Sequence, residues 1–239
     1  MPMIQKITAG LLTLCLILGM ALAGTAFVIG AKGYGLYRQA GGAAALMEMA
    51  QTIREEEHFV PLETLPETYI NAVIATEDKR FFRHFGIDPI AIARAFVHNV
   101  QAGQIAEGGS TITQQLAKNQ FFTQEQHFSR KAAEVFMSFA LERQFTKEEI
   151  LELYLNSIYF GEGYYGIGQA SLGYFGMAAE QLGDYECTLL AGLPNAPSVY
   201  ALSENPHLAE QRQAQVLRQM VEEGYIGVQE AKAVLAAGG

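Results

Sequence analysis

Thr146-Lys-Glu-Glu-Ile-Leu-Glu-Leu-Tyr-Leu-Asn-Ser-Ile158 carries its own start signal and its own period. Thr146 and Glu149 stand in the order of a capping box, in which the hydroxyl takes the amide of the third helical residue and the carboxylate reaches back. Leu151, Tyr154, Leu155 and Ile158 then repeat at helical spacing, so one face of the segment is a core face. Outward from this stretch the same period persists. Ser129 is the expected cap of a helix running to about Phe145. From Leu65-Pro66 onward the pattern is helical almost throughout, and strand pairs with hairpin turns are not evident. Beyond the Pro194-Asn-Ala-Pro197 turn, two more helices are predicted over about 207–223 and 228–237, the first closed by Gly224. The chain reads as mainly α.

Towards the amino terminus, Ile7 to Ala31 is a run of 25 residues without a charge. As a helix it spans about 37 Å, against roughly 30 Å of bilayer hydrocarbon, which is enough to cross with some tilt. A cleaved signal peptide is the rival reading, because Lys6 supplies a positive start and Ala21-Leu-Ala23 resembles a cleavage site. The apolar run continues past that site, which favours an uncleaved anchor. A large residue, Leu14, precedes Cys15 and argues against a lipoprotein signal. Lys6 lies on one side of the run and Lys32 and Arg38 on the other, so charge alone does not orient it. The expected division is residues 1–6, an anchor over 7–31, a juxtamembrane segment over 32–60 and one globular domain over 61–239. A chain of 239 residues builds one substantial core, and two independent domains would be cramped.

The formal net charge is −9, yet residues 79–147 hold nine Lys and Arg against five Asp and Glu, a local balance of +4. A basic patch on an acidic protein suits a localised anionic ligand, although solvated helix faces give the same count. No Lys/Arg run of nucleic-acid type is present. Cys15 lies in the apolar run and Cys187 far from it, so no disulfide framework is read. None of the seven serines is followed three residues later by Lys, and these residues therefore lack the Ser-x-x-Lys of a β-lactam-acylated transpeptidase.

Residues 107–119 read Glu107-Gly-Gly-Ser-Thr-Ile-Thr-Gln-Gln-Leu-Ala-Lys-Asn119. Small hydroxyl and amide groups closing on a cation suit a polyhydroxylated, anionic ligand, and Gly108-Gly109 lets the backbone come close to it. Upstream, Ala75-Thr-Glu-Asp-Lys-Arg-Phe-Phe-Arg-His-Phe-Gly86 joins adjacent carboxylates to cations and aromatics. Downstream, Arg130, Lys131 and Glu134 share one helix face, and Gly161-Glu-Gly-Tyr-Tyr-Gly166 leads to Tyr174-Phe-Gly176. With Lys147 to Asn156 as the fourth, these five blocks in this order resemble the peptidoglycan glycosyltransferases over about residues 50–235.

The resemblance implies a lysozyme-like helical glycosyltransferase domain behind one amino-terminal transmembrane helix. It implies a single-pass protein of the bacterial cytoplasmic membrane, with residues 1–6 in the cytoplasm and the domain on the outer, periplasmic face. The activity implied is polymerisation of lipid II into β-1,4-linked glycan with release of undecaprenyl pyrophosphate. Such chemistry needs a base for the attacking hydroxyl and cations for the departing pyrophosphate. It needs no acid to protonate the leaving oxygen, unlike glycoside hydrolysis. Carried onto this sequence, Glu77 is the base and Glu134 a second functional carboxylate. Lys118, Arg130 and Lys131 are phosphate binders, Arg as a bidentate fork and Lys as a point charge. Ser110, Thr111, Gln114, Gln115 and Asn119 are substrate contacts, and Asp78 contacts substrate or orients its neighbours. No cofactor is required, although a divalent cation, Mg or Mn, can assist at the pyrophosphate. The implied partners are lipid II, the growing lipid-linked glycan, the membrane and other cell-wall synthesis proteins.

Each residue also has a plainer reading. Alone, Glu77 would pass for a helix-surface carboxylate, and Glu134 with Arg130 for an i,i+4 salt bridge worth roughly 0.2–0.5 kcal/mol. Packing and capping explain Glu152 and Asn156 nearly as well as catalysis does. Phe121, Phe122 and Phe128 flank a polar loop, and bilayer contact and domain core account for them equally well. Gly161 to Gly166 also spells the dinucleotide fingerprint, but it follows a helical pattern and not a strand. The five His lack metal spacing, and His84 reads as structural. Gly168 and Met177 stand where many relatives of the resembled family carry an acid and a Lys. Two other functions remain compatible with the sequence. A muramidase would cleave purified glycan without a lipid donor, and a catalytically weak scaffold would do neither.

Overall fold

The computed structural model describes residues 2–103, 108–122 and 128–238. Eleven α-helices and one short hairpin are found among them. Helix α1 (Pro2–Gln39) is apolar and long enough to cross a membrane. It continues unbroken through residue 31, where the anchor was expected to end. Helix α2 (Ala45–Arg54) follows and buries Leu46, Met49, Ala50 and Ile53. Residues within the expected juxtamembrane segment thus belong to the core of the folded domain.

That core is built by α3 (Glu67–Glu77), α5 (Ile112–Phe121), α6 (Phe128–Gln144), α7 (Lys147–Leu155), α9 (Asp184–Gly192) and α10 (Pro206–Glu222), with α4 (Pro89–Ala102) lying between α3 and α5 in the chain. Tyr69, Phe81, Leu116, Met137, Leu141, Leu151, Tyr154 and Phe160 are fully buried. At about 25 cal/mol per Å² of apolar surface, such side chains supply the main driving force for folding. The capping box of α7 forms as the sequence predicts: Glu149 N–H donates to Thr146 Oγ1 at 3.2 Å and Thr146 N–H to Glu149 Oε2 at 2.9 Å. Gly224 (φ +78°) ends α10 in a Schellman turn, in which Tyr225 N–H reaches the Met220 carbonyl at 2.9 Å. Helices α8 (Ile167–Phe175) and α11 (Val228–Ala236) complete the domain.

Two sequence expectations need correction. Ser129 does not precede its helix: it is itself helical, with Phe128 before it also in α6. The Gly161-to-Gly166 block is a β-hairpin, with β1 (Tyr159–Gly161) antiparallel to β2 (Tyr164–Tyr165). Its two-residue loop, Glu162-Gly163, has φ of +53° and +87°, the left-handed pair that a type I′ turn demands. Gly166 packs against the Asn156 carbonyl. These glycines therefore turn and pack the chain and do not open a βαβ unit.

Helix α1 packs along α6. A Cβ on Gly33 would run into Ala132 and sit 2.9 Å from the Ser129 carbonyl, so the helices approach at a position only glycine fits. Tyr34 and Tyr37 meet Phe136 at ring-centroid distances of 5.4 and 6.2 Å. The opposite face of α6 carries Arg130, Lys131 and Glu134.

Candidate active site

The C-terminal end of α3 meets the N-terminal end of α5, and Asp78 joins them. Asp78 ends α3 and accepts the Ile112 N–H of α5 at 3.0 Å. Its carboxylate also holds His84 Nε2 at 2.9 and 3.1 Å. Anionic charge at a helix N-terminus is favourable, because the amides there have no helical partner. Thr111 caps α5 in a second capping box with Gln114, each accepting the other's backbone N–H at 3.1 Å. The Thr111 hydroxyl donates to the Gly86 carbonyl at 2.7 Å. Behind α5, Thr113 donates to Glu142 Oε1 at 2.7 Å, an oxygen that also accepts Gly86 N–H and Lys147 Nζ.

This framework sets Glu77, the last residue of α3, beside the front face of α5. Gln115 Nε2 donates to Glu77 Oε2 at 2.7 Å. The other oxygen, Oε1, is buried and accepts no hydrogen bond among the described residues. Burial raises the affinity of Glu77 for a proton, with Asp78 adding to the rise, and the Gln115 bond and the charges of Arg212 and Lys118 oppose it. Lys118, one turn beyond Gln115, is shifted the other way: burial lowers its hold on its proton, while Glu134 and Glu77 support the ammonium. Among the described residues no carboxylate lies within ion-pair distance of it.

Glu134 has the contrasting environment. It is 1% exposed, with Arg130 Nε 3.1 Å from Oε1 and Lys131 Nζ 2.9 Å from Oε2. Lys131 also donates to Ser110 Oγ at 2.8 Å, linking α6 to the glycine-rich segment before α5. The i,i+4 pair read from the sequence is therefore formed, but inside a cleft and not on a solvated face.

A cleft of about 500 Å³ unites these groups. Glu77, Asp78, Ser110, Thr111, Gln114, Gln115, Lys118, Arg130, Lys131 and Glu134 all line it, and Asn119 does not. Asn119 is exposed on α5. The Thr111 hydroxyl and Gln114 Oε1 are engaged in capping, so those atoms serve the scaffold. Glu107, first residue of its block, lies outside the described residues. Glu152 and Asn156 are also away from the cleft. Asn156 pairs with both backbone groups of Val60 at 2.8 Å, and Glu152 accepts Leu62 N–H at 3.1 Å. Gly168 is a packing position, since a Cβ would run into the His58 carbonyl. Phe121 and Phe122 pack on the core, whereas Phe128 is 82% exposed.

The cleft also gathers residues to which the sequence reading gave no individual role. Arg80 bridges to Asp88 at 3.0 Å, and Asp88 caps α4. Arg94 enters from α4, Asn195 from the Pro194 turn, and Arg212 and Gln219 from α10. Arg212 stands more than a hundred residues from Glu77 in the chain, on a helix whose period reveals only its buried face. Among the described residues no group of three or more His, Cys, Asp or Glu is placed to hold a metal ion. Both oxygens of Glu134 already face cations. The donors of the described residues thus do not form a divalent-cation cage.

The arrangement sets apart two carboxylates. Glu77 is half-buried, holds its proton more tightly than an ordinary carboxylate and has one oxygen without a hydrogen-bond partner among the described residues, whereas Glu134 is ringed by cations.

A family model described as Transglycosylase matches residues 45–221. Penicillin-binding protein 1A of Aquifex aeolicus is 49% identical over 172 residues, which cover 72% of this chain and 24% of that protein. A Cupriavidus necator protein described as a candidate transglycosylase is 42% identical over 180 residues, covering 75% of this chain and 78% of that one. A crystal structure of penicillin-binding protein 1A from Haemophilus influenzae matches at 26% identity and a TM-score of 0.45, over 74% of this chain and 17% of that one. The chain thus spans about a quarter of the length of the first of these relatives.

Proposed function

The chain belongs to the transglycosylase family, and from that premise we propose that it is a membrane-anchored peptidoglycan glycosyltransferase which extends β-1,4-linked glycan from lipid II. The single observation that carries the reading is the bare Glu77 Oε1 in a cleft whose other wall is cationic. A substrate hydroxyl can donate to that oxygen, and burial has made it more basic.

In the proposed reaction Glu77 takes the proton of the acceptor's 4-hydroxyl as that oxygen attacks the anomeric carbon of the lipid-linked chain. The new C–O bond forms opposite the breaking one, the configuration inverts, and undecaprenyl pyrophosphate departs. Lys118, Arg130 and Lys131 compensate the charge that develops on the pyrophosphate, and Glu134 holds the last two in place. Since the leaving group is stable as an anion, Glu77 is needed only as a base. Helix α1 is the proposed anchor, with the domain on the outer face of the cytoplasmic membrane. The exposed Phe96, Val97 and Val100 of α4 and Phe128 of α6 suit contact with a lipid surface.

The test is labelled lipid II incubated with the full chain and with Glu77→Gln, the products sized on a gel. Polymer is expected from the native chain and a loss of about 10²–10⁴-fold in the variant, the usual contribution of a general base. Turnover by Glu77→Gln close to native would remove Glu77 from the mechanism. Cleavage of purified glycan without a lipid donor would favour a muramidase, and inactivity in both assays a scaffold.

A further inference from the structure

Tyr154 of α7 is fully buried in the core, and its hydroxyl reaches Gln115, a residue that lines the cleft. It donates to Gln115 Oε1 at 3.1 Å, and Gln115 Nε2 donates to Glu77 Oε2 at 2.7 Å. The chain of bonds crosses α7, α5 and α3. A primary amide has one accepting end and one donating end. What holds one end therefore decides what the other end offers.

We propose that Tyr154 is a positioning residue that keeps Glu77 ionised by fixing the orientation of the Gln115 amide. A phenol donating to Oε1 leaves only Nε2 to face Glu77, and a donor there favours the carboxylate. Turned by half a revolution, the amide would present Oε1 to Glu77 and favour the protonated acid. Two orientations of one side chain thus correspond to two protonation states of the base. Burial holds the Tyr154 phenol well above its ordinary pKa, so it remains a donor throughout the working range.

The other titratable and charged groups facing Glu77 are Asp78 beside it, Tyr69 of α3, Lys118 of α5 and Arg212 of α10. Lys118 and Arg212 favour the carboxylate and Asp78 opposes it, and Tyr69 stays neutral for the same reason as Tyr154. The Tyr69 hydroxyl is buried and makes no hydrogen bond among the described residues, so it does not anchor the amide. Tyr154→Phe leaves all these groups in place. A shift in that variant reports the amide.

The catalytic consequence rests on the reading of Glu77 as base, so two readouts are needed. In the full chain in nanodiscs, the Glu77 carboxyl is titrated by carbon-13 NMR, its signal identified by loss in Glu77→Gln. In parallel, kcat/KM for labelled lipid II is followed against pH. Tyr154→Phe should raise the Glu77 pKa by about one unit, the scale of one hydrogen bond to a charged group. The acid limb of the rate profile should move up with it, KM staying near native and activity returning at higher pH. An unmoved Glu77 titration overturns the proposal. A shifted titration with an unmoved rate profile upholds the relay and refutes Glu77 as base. Should Tyr154→Phe fold too poorly to titrate, Gln115→Met must raise the Glu77 pKa, and an unchanged value there likewise overturns the proposal.

Discussion

Glu77 shows how a buried carboxylate costs the fold that carries it. In the folded chain its pKa lies above its ordinary value of 4.5. A group whose folded pKa is raised contributes stability that is fully present below the unfolded pKa and is lost as pH rises through the folded value. At neutral pH, Glu77 is therefore a liability. Glu77→Gln should melt a few degrees higher than the native chain at about pH 7.5, the difference vanishing near pH 4 where both forms are uncharged. A variant that melts lower at pH 7.5 would contradict this. Lys118 follows the same logic with the opposite charge, since burial depresses its pKa. Lys118→Ala should slow polymerisation at least about tenfold, as a lost cation does at a developing charge, without lowering the melting temperature. A matched fall in both would make it a structural residue. At this scale the sequence told most where motif residues lie close in the chain. Glu77, Lys118 and Glu134 were singled out by their motifs, and the fold brings all three to one cleft. Which hydroxyls and amides stay free within the cleft was not legible, because Thr111 and Gln114 use theirs to cap α5. Arg212 was invisible, since only the tertiary fold brings α10 to the cleft.

Among elements, legibility followed the length of the pattern. Helix α7 announced itself through a cap and repeated core positions, whereas strands of three and two residues are too short to show alternation. The hairpin's one signal, Gly163 after Glu162, is easily lost inside a fingerprint-like glycine pattern. Thr146→Ala should cost about 1 kcal/mol, the usual worth of an N-cap, and leave turnover per folded molecule unchanged. The packing of α1 on α6 was not legible at all, because Gly33 within an apolar run looks like any other small residue. Its consequence is sharp: Arg130, Lys131 and Glu134 ride on the helix that Gly33 lets α1 approach. Gly33→Leu should force the helices apart, destabilising the domain by about 1–3 kcal/mol as overpacking does and reducing turnover. Flotation with liposomes should be unaffected. Native stability and activity in this variant would show that α1 is only a tether.

For the whole molecule, the length of α1 matters. Its 38 residues span about 57 Å, roughly twice the hydrocarbon thickness of a bilayer. The surplus is the segment that docks on α6 through Gly33, Tyr34 and Tyr37. On the proposed reading one helix has two separable tasks. Its apolar part would hold enzyme and lipid-linked substrate in one plane, and its C-terminal part braces the cationic helix of the cleft. Two truncations separate them. Deleting residues 1–31 removes the spanning part and leaves the brace. The eight residues from 32 to 39 are too few for a stable free helix, but their packing on α6 holds them. This variant should melt near the native temperature, fail to float with liposomes and use bilayer-embedded lipid II poorly, recovering with detergent-dispersed substrate. Deleting residues 1–40 also strips Tyr34 and Tyr37 from Phe136, leaving apolar surface and a loosened α6. It should melt lower and stay slow even on dispersed substrate, because the cations of α6 are no longer held in register with Lys118 and Glu77. Equal melting temperatures and equal activity on dispersed substrate for the two truncations would refute the brace. Full activity of the first in liposomes would refute the anchor.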